Sequence, residues 1–493
     1  MKITELAGPD LAGTAAATHI ERDILGITAD SRQVRPGFLF AALRGAALDG
    51  RAFAGAAVAH GAVAILTDDP AALALDKAAR ERVTILVDPD PQRRLSLLAA
   101  RFHGRQPRTI AAVTGTNGKT SVAHFTREIW TAAGCPAASL GTLGLVSPEG
   151  RRPGALTTPD PVGLHRDLAA LADAGILHVA LEASSHGLAQ RRLDGVRITA
   201  AAFTNLTRDH LDYHGDMESY RAAKERLFTE LLPAGGAAIL NADSPEFVRL
   251  AALCRGRAQR VIGYGAAAGC DLHLARREPR PFGQLLTIEA FGSTHSVELP
   301  LVGAFQAMNA LAALGLAVAT GTPPEAGFAA LRELPGVPGR LELVGRPAAG
   351  APVFVDYAHT PDALATVLDA LRPHTAGRLL VVFGAGGDRD RGKRPQMGRI
   401  AEARADRVYV TDDNPRSEDP AAIRRAILAA APGAVEIGDR RAAIAAAIGE
   451  LRAGDALVIA GKGHESGQIV GSRVVPFDDA VAAREVLGAT GRG

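Results

Sequence analysis

The run Thr114-Gly115-Thr116-Asn117-Gly118-Lys119-Thr120 combines the groups needed to hold a nucleoside triphosphate. Small residues let backbone N–H groups crowd round an anion, and a helix opening behind them adds the positive end of its dipole. Lys119 would reach the outer phosphates, and the Thr120 hydroxyl would face a Mg²⁺ ion. The general phosphate-loop pattern has glycine at position 113, where this chain has Val113. The match is therefore to the shorter GTNGKT form. Two further polar runs follow apolar stretches: Glu182-Ala183-Ser184-Ser185-His186-Gly187, and residues 204–215, which contain Arg208-Asp209-His210. If the strands before these runs share one rim, Glu182, His210 and Thr120 would surround a phosphate-bound cation. Oxygen donors suit Mg²⁺; the imidazole leaves Mn²⁺ open as an alternative. Taken singly, a strand-end Glu is ordinarily solvated or capping, and a His beside an Asp is ordinarily a loop residue. The glycine loop is what favours a shared site.

Such a loop needs a strand before it and a helix after it. Residues 110–113 supply the strand. Val122, Phe125, Ile129 and Ala133 recur at helical spacing up to Gly134. Buried-strand signals recur at 177–183, 198–205 and 237–241, each followed by a helical pattern, which predicts a parallel sheet covered on both faces. Residues 272–302 read as strand-turn-strand, a small antiparallel patch. The Pro/Gly-rich stretch 334–339 reads as a linker. Beyond it, apolar runs at 353–355, 379–383, 408–411, 435–437 and 456–460 alternate with Ala-rich helices, a second doubly wound α/β unit. Before the glycine loop, residues 38–43, 53–60 and 63–67 alternate strand and helix. The expected fold is therefore α/β in three domains, residues 1–108, 109–337 and 338–493, with a parallel-sheet ATPase-like centre and a Rossmann-like C-terminal domain.

The 493 residues are 47% hydrophobic and only 4% aromatic, the composition of a globular protein packed with small side chains. A net charge of +2 gives no general drive towards nucleic acid or acidic membranes, which argues against a nucleic-acid motor. Cys135, Cys254 and Cys270 lie far apart, so neither a disulfide framework nor a zinc site is expected. No leader-like segment or spanning helix is read, and a cytoplasmic monomer is expected.

The chain resembles the Mur ligase family of peptidoglycan synthesis. The resemblance rests on GTNGKT, Thr157-Thr158-Pro159-Asp160, residues 182–188, residues 205–215 and Tyr220-Arg221-Ala222-Ala223-Lys224. Asp30-Ser31-Arg32, Gly303 to Asn309, Pro338-Gly339-Arg340-Leu341-Glu342 and Asp356-Tyr357-Ala358-His359-Thr360-Pro361 extend it over essentially the whole chain. The resemblance implies ATP-dependent amide formation. ATP would phosphorylate the D-glutamate side-chain carboxylate of UDP-N-acetylmuramoyl-L-alanyl-D-glutamate, and an amine would attack the acyl phosphate. It further implies that the N-terminal domain binds the UDP-sugar, the central domain ATP and the C-terminal domain the amino acid.

The resemblance also assigns residues. ATP would be bound by Gly115, Thr116, Asn117, Gly118, Lys119, Thr120, Asn309 and Arg340. Thr120, Glu182, His210 and Lys224 would hold Mg²⁺, with Lys224 carrying a carbamate (N6-carboxylysine). Lys119, Lys224, His210 and Glu182 are thus the implied catalytic set. Ser31, Thr157, Thr158, Ser184, Gln190 and Arg192 would bind the UDP-substrate. Asp413-Asn414-Pro415-Arg416 resembles the motif for meso-diaminopimelate, whose second carboxylate a guanidinium fork can grip. Arg416 is the expected partner, assisted by Arg389, with Gly461 and Glu465 near the distal amino acid groups. Two departures stand out. Gln306 occupies a position where relatives often have Asn, and Ala46-Ala47-Leu48 one where they often have polar residues. A lysine-adding ligase and a folylpolyglutamate synthetase-like ligase are the enzymatic alternatives. A non-catalytic nucleotide sensor would be expected to lack Glu182, His210 and Lys224, and all three are present.

Overall fold

The computed structural model describes residues 1–8, 21–45, 48–347 and 349–490; Ala46 and Ala47 lie outside the described residues. The chain forms two compact units, one of residues 1–262 with 319–321, the other of residues 263–318 with 322–493. The boundary expected at 337/338 falls inside the second unit. There the Pro/Gly stretch is packed down rather than loose, with Val337 fully buried and bridged to Arg340.

The first unit contains two parallel sheets. Gly26–Thr28, Phe38–Ala41, Ala62–Thr67 and Thr84–Val87 pair in sequence order. In the larger sheet, Thr109–Thr114 lies between Ala200–Phe203 and His178–Glu182, all parallel, with Ala237–Asn241 beyond one and Ala137–Gly141 beyond the other. These strands are Ala-rich apolar runs, buried except at the end residues Thr109, His178 and Asn241, as expected of strands covered on both faces. The carboxyl ends of the two neighbours therefore flank the glycine loop on either side. Gly144–Ser147 and Gly150–Arg152 extend the edge as an antiparallel hairpin. Its exposed second strand carries no burial pattern that the sequence could reveal.

Helix Pro91–His103 ties the two sheets together: the Ser96 hydroxyl donates to the Arg191 carbonyl at 2.7 Å, and Arg93 lies 3.5 Å from Asp194. Asp194 in turn receives Arg226 through both carboxylate oxygens at 2.6 and 2.7 Å. Helix Met217–Arg226 runs directly into the π-helical turn Leu227–Leu231, a distortion often found where a helix must offset a side chain.

In the second unit, the expected antiparallel patch is a meander of three strands, Leu272–Arg280, Gly283–Ala290 and Ser293–Leu299, where the sequence reads as strand-turn-strand. A separate six-stranded sheet has the order Glu342–Gly345, Val353–Asp356, Ala456–Ala460, Leu379–Phe383, Arg407–Val410, Val435–Glu436. All are parallel except the first, an edge strand that the sequence reading does not contain. The hairpin Gly467–Val470/Arg473–Pro476 is also new; its second strand is exposed throughout.

Candidate active site

Strand Thr109–Thr114 delivers the chain into the loop, and helix Lys119–Ala132 leaves it from Gly118. Gly115 has φ +146°, and a β-carbon there would lie 1.9 Å from the Thr204 hydroxyl, so only glycine fits. The neighbouring strand end pins the loop. Thr204 Oγ1 donates to the Asn117 carbonyl at 2.6 Å, the Thr116 amide donates to the Asn205 carbonyl at 2.8 Å, and the Asn117 amide to Asn205 Oδ1 at 3.0 Å.

Two lysines meet over this loop. Lys119 Nζ donates to the carbonyls of Gly115 and Thr116 at 2.9 and 2.8 Å. Lys224 Nζ donates to the same Gly115 carbonyl at 2.7 Å and lies 4.4 Å from the centre of the Tyr220 ring. Lys224 is 1% exposed, so it is not the solvated surface group that a helical lysine ordinarily is. Burial, and then the charge of Lys119, hold its pKa well below the usual ammonium range. The Tyr220 hydroxyl, pushed up to about 12 by burial, lies 3.1 Å from Thr116 Oγ1.

Glu182, 2% exposed, closes the other side. Its Oε2 accepts from Thr120 Oγ1 at 3.0 Å and from Thr142 Oγ1 at 3.2 Å, while Oε1 accepts from the Thr142 amide at 2.7 Å. Gly141 allows this approach, since a β-carbon there would fall 2.1 Å from Glu182 Oε1. Thr142 is the residue that the sequence reading misses. The clue available was its place just after a buried strand, in Gly141-Thr142-Leu143-Gly144.

The residues assigned to the UDP-substrate in this unit form one network. Thr157 Oγ1 lies 3.2 Å from Thr142 Oγ1. Thr158 Oγ1 donates to the Glu182 carbonyl at 2.7 Å and accepts from the Ser184 amide at 3.0 Å. Arg192 donates to the Thr158 carbonyl at 2.7 Å and to Gln190 Oε1, and Gln190 Nε2 donates to the Tyr213 hydroxyl at 3.1 Å. Ser31 lies on the turn Ser31–Gln33, which Asp30 caps. His210 lies on the turn before helix Leu211–His214. It is half exposed, has φ +54°, and its ring packs on His186 and Tyr220. Among the described residues, no three His, Cys, Asp or Glu side chains are grouped as for a metal ion. The buried carboxylate of Glu182 and the Thr120 hydroxyl are hard oxygen donors, a set that suits Mg²⁺.

In the second unit, the amide of Asn309 donates to Gln306 Oε1 at 3.1 Å, and Gln306 Nε2 donates to the Arg340 carbonyl at 3.1 Å. The longer amide at 306 thus braces two of the residues assigned to ATP. The Arg340 guanidinium lies 4.8 Å from the centre of the Tyr357 ring.

The loops after Arg407–Val410 and Ala456–Ala460 face each other. Asn414 Nδ2 donates to Glu465 Oε2 at 3.0 Å, and buried Lys462 donates to Asn414 Oδ1 at 3.1 Å and to Glu465 at 3.3 Å. Arg416 has φ +50° and donates from Nη1 to the Gly387 carbonyl at 2.8 Å. The new hairpin holds this strained backbone: the Arg416 amide donates to the Ile469 carbonyl at 3.0 Å, and the Gly471 amide to the Arg416 carbonyl at 2.7 Å. Gln468 Nε2 donates to the Asp413 carbonyl at 2.6 Å. Two glycines allow close approaches, one to backbone and one to a carboxylate. A β-carbon on Gly387 would lie 1.9 Å from the Pro415 carbonyl oxygen, and one on Gly461 would lie 2.7 Å from Asp413 Oδ2. Arg389 donates to the carbonyl of its neighbour Asp388 at 3.1 Å and is not drawn into this cluster.

Comparison with known proteins identifies the family. Three family models match: "Mur ligase family, catalytic domain" over residues 23–103, "Mur ligase middle domain" over 113–317, and "Mur ligase, glutamate ligase domain" over 339–463. The UDP-N-acetylmuramoyl-L-alanyl-D-glutamate–2,6-diaminopimelate ligase of Mesorhizobium japonicum is 53% identical, over 99% of this chain and 99% of that protein. The chain belongs to the Mur ligase family. A solved structure described by the same ligase name superposes on it with a TM-score of 0.75 and 34% identity, covering 100% of this chain and 99% of that one. The folylpolyglutamate synthase of Mycobacterium tuberculosis, solved with ADP and AMPPCP, shares the fold with a TM-score of 0.62 at 22% identity, over 81% of this chain and 95% of that one. Within the Mur ligase frame, the glycine loop falls in the middle domain, and the Asn414–Glu465 loops begin in the glutamate ligase domain.

Proposed function

We propose that this chain joins meso-2,6-diaminopimelate to the D-glutamate side-chain carboxylate of UDP-N-acetylmuramoyl-L-alanyl-D-glutamate at the expense of ATP, a step of peptidoglycan precursor synthesis. The observation that carries the reading is the hydrogen-bonded line Thr120–Glu182–Thr142–Thr157. It connects the phosphate-binding helix start to the residues assigned to the acid that must be activated. Identity with diaminopimelate-adding ligases over nearly the full length supports the choice of amine.

Residues 1–108 are assigned to the UDP-sugar, 109–337 to ATP and catalysis, and 338–493 to the amino acid. The backbone amides at Gly118, Lys119 and Thr120 would receive the phosphates. Lys119, now spent on two carbonyls, would transfer its donors to the outer phosphates and offset the charge that grows there during transfer. Thr120, Glu182, His210 and Lys224 as a carbamate would hold Mg²⁺, which supplies charge neutralisation at the transferring group. The substrate carboxylate oxygen attacks the γ-phosphorus and ADP leaves. The amine then attacks the acyl carbon, loses a proton, and the tetrahedral intermediate expels phosphate. Arg416 takes the distal carboxylate, with Asn414 and Glu465 on the distal amine.

No helix among the described residues is long and apolar enough to cross a membrane. A cytoplasmic monomer is the proposed state. The test is phosphate release with ATP, magnesium and the muramoyl dipeptide nucleotide, comparing diaminopimelate, L-lysine and no amine. Release dependent on diaminopimelate is expected; equal turnover with lysine, or none with any amine, overturns the reading.

A further inference from the structure

The two loops assigned to the amino acid follow strands that are not neighbours. Leu379–Phe383 lies between Arg407–Val410 and Ala456–Ala460, so the two strands stand two spacings, roughly 10 Å, apart. A single side chain reaches the ends of both. Arg440 Nη2 donates to the Ala460 carbonyl at 2.9 Å, and Nη1 donates to the Asp412 carbonyl at 3.3 Å. The same guanidinium is gripped from behind by Asp479, with Nε and Nη2 each 2.7 Å from a carboxylate oxygen. Both side chains are fully buried. Asp479 opens the C-terminal helix Asp479–Thr490, and Arg440 opens the helix Arg440–Gly449.

We propose that Arg440, fixed by Asp479, is a positioning residue for amino-acid recognition. It sets the spacing of the 412–416 and 461–465 loops so that Asn414, Arg416 and Glu465 act on one ligand. The proposal rests on the reading that these loops take the amino acid. A buried ion pair is not needed for stability as such, since apolar pairs of similar volume often hold a core as well or better. An apolar pair cannot donate to two carbonyls, and a lysine has one nitrogen where the planar fork has three. The loops also approach each other at Gly461, where a β-carbon would lie 2.7 Å from the Asp413 carboxylate.

The test compares the parent with Arg440→Lys, Asp479→Asn and the double variant Arg440→Met/Asp479→Leu, by thermal unfolding and by kinetics with each substrate varied in turn. The double variant is expected to fold with a parental unfolding temperature. Its KM for diaminopimelate should rise about tenfold to a hundredfold, the usual cost of a small misplacement of binding groups. The KM for ATP should not move, and the preference for diaminopimelate over lysine should narrow. Arg440→Lys is expected to fall between the two. A folded double variant with the parental KM for diaminopimelate overturns the proposal. If that variant does not fold, Asp479→Asn decides by the same KM split. If the parent itself shows no turnover with diaminopimelate, the functional reading fails, and hydrogen exchange then judges the clamp by itself. Faster exchange confined to 412–416 and 461–465 in the variants supports it, and unchanged exchange there overturns it.

Discussion

Lys119 and Lys224 share one acceptor, with both ammonium groups donating to the Gly115 carbonyl at 2.9 and 2.7 Å. Burial, and then the charge of Lys119, disfavour the charged form of Lys224. A neutral amine is the form able to attack CO₂. Protein equilibrated with ¹³C-bicarbonate is expected to show a carbamate carbon signal that Lys224→Arg lacks. Lys224→Arg should also lose turnover by at least about a hundredfold, because the guanidinium stays charged and cannot become an anionic ligand. Parental turnover in that variant would end the assignment.

Thr142 offers a second handle on the same site, because its amide and hydroxyl both hold the Glu182 carboxylate. Removing the hydroxyl in Thr142→Val deletes a hydrogen bond to a charged group, about 1.5–3 kcal/mol. A loss of roughly tenfold to a hundredfold in kcat/KM for ATP is expected, restored largely by Thr142→Ser. Equal losses in Val and Ser would show that the hydroxyl is not what matters.

Arg416 should be intolerant of even a conservative change. Lysine keeps the charge but not the fork, so Arg416→Lys is expected to raise the KM for diaminopimelate about a hundredfold or more while leaving L-lysine turnover nearly unchanged. Steady-state kinetics with the two amines checks this. An unchanged ratio between them would remove Arg416 from recognition.

His165 gives the fold a pH dependence of definite sign. It is 1% exposed, its Nε2 is 3.2 Å from the Asp194 carbonyl, and burial pushes its pKa from 6.5 down to about 4. The folded protein keeps the ring neutral while the unfolded chain takes up a proton below pH 6.5. Stability is therefore full above that value and falls as pH drops towards 4, by on the order of 1 kcal/mol per pH unit. His124, pushed to about 3 by burial, adds a slope of the same sign. Urea midpoints across this window should decline in the parent and less steeply in His165→Gln. Parallel declines would show that the slope arises elsewhere.

The features legible in the sequence were local ones. The glycine loop, the parallel strands at 109–114, 178–182 and 200–203, and the later α/β unit all announce themselves through apolar runs and turn residues next to them. What was not legible depends on partners distant in the chain. Thr142 matters because residue 182 lies against it, and Gln306 because Arg340 does. The hairpin Gly467–Val470/Arg473–Pro476 is too exposed to carry a hydrophobic pattern. Burial of Lys224 reflects the path of helix Met217–Arg226 under the glycine loop, which no property of a lysine foretells. The resemblance named Lys224 and the departure at Gln306, but not the contacts that hold them.

Main chain meets main chain where Gly387 faces the Pro415 carbonyl. With no side chain to trim on one flank, and a proline ring fixing the other, that turn has little freedom to be reshaped. A change of preferred amine in this scaffold would have to come from the ends of long side chains, by exchanging what residue 416 or 465 carries, while the peptide frame beneath them stays as it is.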